Sequence, residues 1–309
     1  MSRTFVTGGS GFIGRRVLAA ADTVAGEWHT GGRGARPADL PAAIVWHRFD
    51  IMEPPSVRQV MADVRPTHLL HLAWLDATGG RYWQSVDNIE WVEASLRLAR
   101  EFARAGGRRF VGAGTCAEYA WTAPVLSEAL TPTEPSTTYG RCKNALRILL
   151  EEFCGLSGIE FAWGRVFWVH GPQELPTRLV ASVVNAIREG RVAELGDGDR
   201  RRDYLHVDDV ASAFLALLAA PDLGPFNIGS GEARAIRDVA EAIARRLGRP
   251  DLVAFGARPT VAGDPAVLVA DTTRVRRLWR PRFDPAAALE ATLDACLGAG
   301  RDKAGGAGS

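Results

Sequence analysis

Near its N-terminus the chain reads Arg3-Thr4-Phe5-Val6-Thr7, a short strand pattern, and runs directly into Gly8-Gly9-Ser10-Gly11-Phe12-Ile13-Gly14, with a helical run from Phe12 to Ala21 behind it. A strand that enters a helix through glycines at this spacing leaves few folds open. Residues without a Cβ allow the backbone to approach a pyrophosphate, and the helix N-terminus offers unpaired N–H groups to it. Strand, glycine turn and helix in that order form the opening unit of a doubly wound α/β sheet that binds a dinucleotide. Gly8, Gly11, Phe12, Ile13 and Gly14 are therefore candidate cofactor contacts.

The rest of the first half keeps the alternation. Strand patterns fall at 27–32, 44–49, 67–71, 109–113 and 160–166, and helical patterns at 55–64, 82–105 and 136–156. This predicts a parallel sheet with helices on both faces, ligands lying beyond the carboxyl ends of the strands. Past Gly171 the pattern becomes helices at 177–189, 208–219, 236–247 and 285–297, separated by short strands and Pro/Gly loops. The expected organisation is a dinucleotide-binding Rossmann domain over 1–170, with a segment near 203–230 returning to it. A smaller α/β substrate lobe covers 171–297, and a disordered Gly/Ala-rich tail covers 298–309.

Composition narrows the function classes. With 309 residues, 47% hydrophobic and a formal net charge of +1, the chain can bury a large core and is too nearly neutral to argue for nucleic acid or a membrane surface. No apolar run reaches the roughly 18 residues of a membrane span. Four cysteines without paired metal-site spacing predict reduced thiols, a cytoplasmic setting and no metal.

The chemistry is signalled by Tyr139-Gly140-Arg141-Cys142-Lys143, where a phenol and an ammonium four residues apart share one helix face. The ammonium's charge would lower the phenol's pKa and suit it to general acid/base work. Thr115, at the end of the apolar strand that begins at Arg109, supplies a hydroxyl before this pair.

With these motifs in view, the chain resembles the extended short-chain dehydrogenase/reductases, the nucleotide-sugar epimerase, dehydratase and reductase group. The resemblance runs from Arg3 to about Ala295. It covers Thr7 to Gly14, Asp50-Ile51, His71-Leu72-Ala73, Gly114-Thr115 with Tyr119, the Tyr139–Lys143 helix, Arg165 to Pro172, Arg202 to Val210 and Phe226 to Gly231. It implies that Thr115, Tyr139 and Lys143 are catalytic, with Lys143 also holding the nicotinamide ribose and Thr115 holding the substrate oxygen. Asp50 and Ile51 would meet the adenine, and Leu72 and Ala73 would line the dinucleotide. Asn88 resembles a helix residue that supports the site. Arg202 resembles the guanidinium that grips a nucleotide diphosphate, with Arg178 and Arg258 as assistants. A homodimer through the long helices is also implied.

Two departures refine this expectation. About 20 residues past the glycines, where an acid would select NAD, the chain has Arg33 and Arg36, which predicts NADP(H) over NAD(H). The segment after Thr115 is Cys116-Ala117-Glu118, so the glutamate of sugar dehydratases is displaced by one residue and faces the wrong way. The cysteine of double-epimerising enzymes is likewise misplaced. Trp168 stands where epimerases usually have Asn, which implies a narrower, more apolar sugar pocket. The leading expectation is an NADPH-dependent ketoreductase of a nucleotide-linked 4-keto-deoxyhexose. The alternatives are a nucleotide-sugar 4-epimerase with tightly held NAD and a non-catalytic dinucleotide sensor.

Overall fold

The computed structural model describes residues 2–75, 82–259 and 263–305. A seven-stranded parallel sheet forms from β1 (Arg3–Thr7), β2 (Glu27–Gly32), β3 (Val45–Arg48), β4 (His68–His71), β5 (Arg109–Thr115), β7 (Glu160–Val166) and β11 (Gly224–Ile228), in the order β11-β7-β5-β4-β1-β2-β3. Strand order reverses around β1, with β4 on one side and β2 on the other, which opens the crevice in which such sheets bind ligands. One face is covered by α1 (Phe12–Ala19) and α6 (Val207–Ala219), whose Val17, Leu18, Val210 and Phe214 pack on Val6, Leu70 and Val111. The other is covered by α2 (Pro54–Val64), α3 (Asp87–Arg104) and α4 (Thr138–Leu156) around Phe5, Leu69 and Phe110.

The crossing connections build a second sheet. Strands β6 (Val125–Leu126), β8 (Trp168–His170), β10 (Arg201–His206), β12 (Ala233–Ala235) and β14 (Val267–Ala270) gather around β10. Its centre is the buried carboxylate of Asp203, which accepts hydrogen bonds from the N–H groups of Ser230, Gly231 and Ala270 and from the Ser230 hydroxyl. A two-stranded ribbon joins β9 (Ala193–Glu194) to β13 (Val253–Ala254). Helices α5 (Leu179–Arg188), α7 (Ile236–Arg246) and α8 (Pro285–Gly305) share an apolar core with the ribbon. Among the described residues no helix is long and apolar enough to cross a membrane.

Two boundaries differ by more than two residues from the sequence reading. The helix expected from Tyr82 begins at Asp87, because the rings of Tyr82 and Trp83 turn toward Tyr139 instead of joining a helical stripe. The last helix runs to Gly305, beyond the Gly298 at which a disordered tail was expected to start. The helix-forming Ala, Arg and Lys residues there carry the backbone past two glycines.

Candidate active site

The glycine turn is built as its spacing predicts. Gly8 has a φ of +72°, and a Cβ there would lie 2.8 Å from the Ala73 nitrogen. At Gly14 a Cβ would come within 2.1 Å of the Gly8 carbonyl oxygen, so this glycine is what lets α1 seat against β1. Gly8, Gly11, Phe12, Ile13, Gly14 and Leu72 line part of a cavity of about 380 Å³. The bare backbone at the N-terminus of α1 and the carboxyl ends of β1 and β4 thus form a cradle that fits a dinucleotide pyrophosphate. Ala73 abuts the turn, its N–H donating to the Thr7 hydroxyl at 3.2 Å. His71 is buried between the hydroxyls of Thr7 (2.7 Å) and Ser95 (2.9 Å), and burial pulls its pKa down to about 3, so the ring is neutral.

Thr115, Tyr139 and Lys143 line the same cavity. The segment after β5 is locked by Glu118, which is fully buried. One carboxylate oxygen accepts the Thr115 N–H and the Trp163 indole N–H, both at 2.9 Å, and the other accepts the Arg165 guanidinium at 2.8 Å. Glu118 is therefore spent on structure and cannot act as a base in the cavity. Tyr119 donates to Asn227 and accepts from Arg165, continuing this network toward β11. The Thr137 hydroxyl caps α4 by accepting the Gly140 N–H at 3.0 Å, which fixes the helix that carries Tyr139 and Lys143.

Burial pushes the Tyr139 phenol above its ordinary range; Tyr82 adds to the rise, and a hydrogen bond with Thr115 opposes it. The depressed phenol expected from the Tyr/Lys spacing is thus not a property of the protein groups alone. Lys143 is almost fully buried, donates to the Ala113 carbonyl at 3.0 Å, and is drawn by burial down to about 7. It is one of two lysines in a chain with thirty-five arginines, and a compact ammonium is not replaceable by a fork-shaped guanidinium. The lowered pKa means that charging Lys143 costs stability. That cost is fully present below about 7 and fades as pH rises toward the ordinary lysine value. Lys143→Met is therefore expected to raise the melting temperature at about pH 6, by a margin that shrinks in alkaline buffer, as thermal melts across pH would record.

Several of the other expected contact residues already have protein partners. The Arg36 guanidinium donates to the carbonyls of Ile44 (2.5 Å), Pro41 (2.7 Å) and Leu40 (3.1 Å), holding the loop it belongs to. Arg33 is exposed just past β2. The Asp50 carboxylate accepts the Met52 N–H, and Ile51 is buried against the sheet. Arg202 is buried, paired with Asp264 at 2.6 Å and stacked behind Trp168 at 5.2 Å, and does not line the cavity. Arg258 lines a second cavity of about 250 Å³ with Pro176, Ser182, Arg191 and Glu194. Arg178, at the N-terminus of α5, does line the first cavity, as does Trp168.

Sequence reasoning missed the aromatic wall. Trp74, Tyr82, Trp83 and Trp121 join Trp168 around Thr115, Tyr139 and Lys143, with Tyr82 and Trp83 edge-on to Tyr139 at 5.2 and 5.4 Å. These rings come from separate segments, and the available signal was only that each follows a strand end or precedes a helix. Glu174 was also missed; burial raises its pKa to about 8. Cys116 lines the cavity as a buried thiol pushed up to about 12, so it is protonated and unsuited to remove a proton.

The profile of the NAD dependent epimerase/dehydratase family matches residues 4–229. The chain belongs to this family. It is an enzyme of the nicotinamide-dinucleotide, oxidoreductase type, with a Rossmann sheet. It is 29% identical over 313 residues to the UDP-glucose 4-epimerase of Mycolicibacterium smegmatis, covering 94% of this chain and 97% of that one. With the UDP-glucose 4-epimerase of Streptomyces lividans it shares 30% identity over 308 residues, 89% of this chain and 90% of the other. The crystal structure of the Thermus thermophilus UDP-glucose 4-epimerase in complex with NAD superposes with a TM-score of 0.86 at 25% identity, covering 96% of this chain and 99% of that one.

Proposed function

We propose that this enzyme inverts the C4 hydroxyl of a nucleotide-linked hexose, as a nucleotide-sugar 4-epimerase with a retained NAD. The observation that carries this reading is that one cavity is lined both by the glycine cradle and by Thr115, Tyr139 and Lys143. The full-length likeness to proteins named UDP-glucose 4-epimerase supports the sugar and the position. Bound NAD supplies a hydride acceptor and donor at a single carbon. Tyr139 moves the proton of the C4 oxygen, Thr115 orients that oxygen against the phenol, and Lys143 holds the cofactor's ribose. NAD is favoured over NADP because Arg36 is consumed by its own loop, leaving Arg33 alone to meet a 2'-phosphate.

Arg178 lines the same cavity as Thr115, Tyr139 and Lys143, where a guanidinium is suited to a nucleoside diphosphate. The division of labour follows: residues 1–170 with β11 hold the dinucleotide, and residues 171–297 hold the nucleotide sugar. Exposed Val86 and Ile89 near the start of α3, and Ile148 and Leu149 on α4, support a homodimer through these helices.

A second reading has its own support. The aromatic wall of Trp83, Trp121 and Trp168 offers apolar ring surface and few partners for sugar hydroxyls. That favours a ketoreductase of a nucleotide-linked 4-keto-deoxyhexose, with exposed Arg33 admitting NADPH. Nucleotide content of the freshly purified protein, followed by fluorescence titration with NADH and NADPH, separates the two. Stoichiometric NAD surviving purification is the expected result. Empty protein that binds NADPH at least about tenfold tighter, a gap of about 1.4 kcal/mol, would overturn it in favour of the reductase.

A further inference from the structure

Lys143 is a buried ammonium that, among the described residues, forms no ion pair with a carboxylate. Glu118, the acid whose charge reaches it, is bound by Arg165, Trp163 and the Thr115 N–H. A buried charge needs compensation, and one hydrogen bond to the Ala113 carbonyl is little. What lies against it is the face of Trp74: the Lys143 nitrogen sits 3.7 Å from that ring's centroid, with the Trp163 ring farther away at 5.9 Å. An indole face is the strongest of the natural side-chain π surfaces for a cation, and most so where water is excluded.

The indole is itself held. Its N–H donates to the Asn88 carbonyl oxygen at 2.9 Å, and the fully buried Asn88 spends its amide N–H groups on the carbonyls of Tyr82 (2.7 Å) and Ser85 (2.8 Å). Trp91 packs against the ring at 5.9 Å and Tyr139 at 6.5 Å. A ring fixed by hydrogen bond and by packing, with its face to a catalytic ammonium, is more than a core filler.

We propose that Trp74, clamped by Asn88, is a positioning residue: its indole face seats the Lys143 ammonium and keeps it charged, with N–H groups left for the cofactor's ribose. This rests on the reading of Lys143 as part of the reaction machinery. The other titratable groups around Lys143 do not supply that seat. His71 is neutral, Cys116 is a protonated thiol, Tyr139 and Tyr82 are protonated phenols, and Glu118 is committed to Arg165.

The chain offers a direct test, because Lys143 and Lys303 are its only lysines. Protein labelled with carbon-13 at the lysine ε-carbon gives two signals, and the titration of Lys143 can be followed in the cofactor-free protein. Trp74→Leu is expected to lower the Lys143 midpoint by about one unit and Trp74→Phe by about half as much, with Lys303 unmoved. In turnover, Trp74→Leu is expected to lose about tenfold in kcat at neutral pH with KM for the nucleotide sugar held within about threefold, and Trp74→Phe to recover part of it. Should Trp74→Leu fail to fold, fluorinated tryptophans placed at position 74 keep the shape while draining the π face, and the midpoint is expected to fall with each added fluorine. A Lys143 titration that is the same in all these proteins would overturn the proposal. A shifted titration together with full activity in Lys143→Arg would leave the seat standing and sink the catalytic reading of Lys143 instead.

Discussion

Tyr139→Phe is expected to lower hydride transfer by about 10²- to 10⁴-fold while leaving dinucleotide binding within about twofold of the parent. The phenol lines the cavity beside Thr115 and makes no hydrogen bond on which the fold depends, so the loss falls on chemistry. Single-turnover absorbance of the reduced nicotinamide, with fluorescence titration of the cofactor beside it, reads the two quantities separately. Because burial and Tyr82 hold the phenol up and only the Thr115 hydrogen bond eases it, Thr115→Val belongs in the same series, with a smaller loss and an alkaline shift of the rate profile. A Tyr139→Phe protein that still transfers hydride at the parent rate would remove Tyr139 from the proton path and send the search to Glu174, a cavity carboxyl that burial raises to about 8.

What could be read from the sequence was what local backbone and fixed spacing determine. Gly8 and Gly14 announce a strand-to-helix turn because no other residue fits the left-handed φ at one and the 2.1 Å approach at the other. Tyr139 and Lys143 announce a shared helix face because the helical repeat dictates it. The displacement of Glu118 by one residue was legible, but the reason was not: an extended segment was expected, whereas Cys116–Glu118 forms a 3-10 turn, and the carboxylate meets Arg165 in a buried ion pair. Guanidinium partners were not legible. Arg36 reaches carbonyls of a loop whose path is set by folding of residues 37–44, and Arg202 meets Asp264, a residue 62 positions away. The aromatic wall was hidden for a related reason. Trp74, Trp83, Trp121 and Trp168 lie far apart in the chain, and each alone reads as an ordinary core residue.

The largest stability effect is expected at the ion pair that backs Thr115. Arg165 and Glu118 are both buried, at 2% and 0% side-chain exposure, and they meet at 2.8 Å. Removing one partner leaves the other as an uncompensated charge inside the protein, which costs about 3–5 kcal/mol where such pairs have been broken. Arg165→Met should therefore lower stability by about that amount in denaturant melts, and it releases Tyr119 as well, because the same guanidinium donates to that hydroxyl. The damage reaches the site: Glu118 accepts the Thr115 N–H, so a carboxylate that shifts toward water or takes up a proton loosens the residue meant to orient the substrate oxygen. The double variant Glu118→Gln with Arg165→Met removes both charges and keeps an amide oxygen for the Thr115 N–H and the Trp163 indole. It should regain most of the lost stability and much of the lost activity. Were Arg165→Met alone as stable as the parent, the pair would be dispensable to the fold.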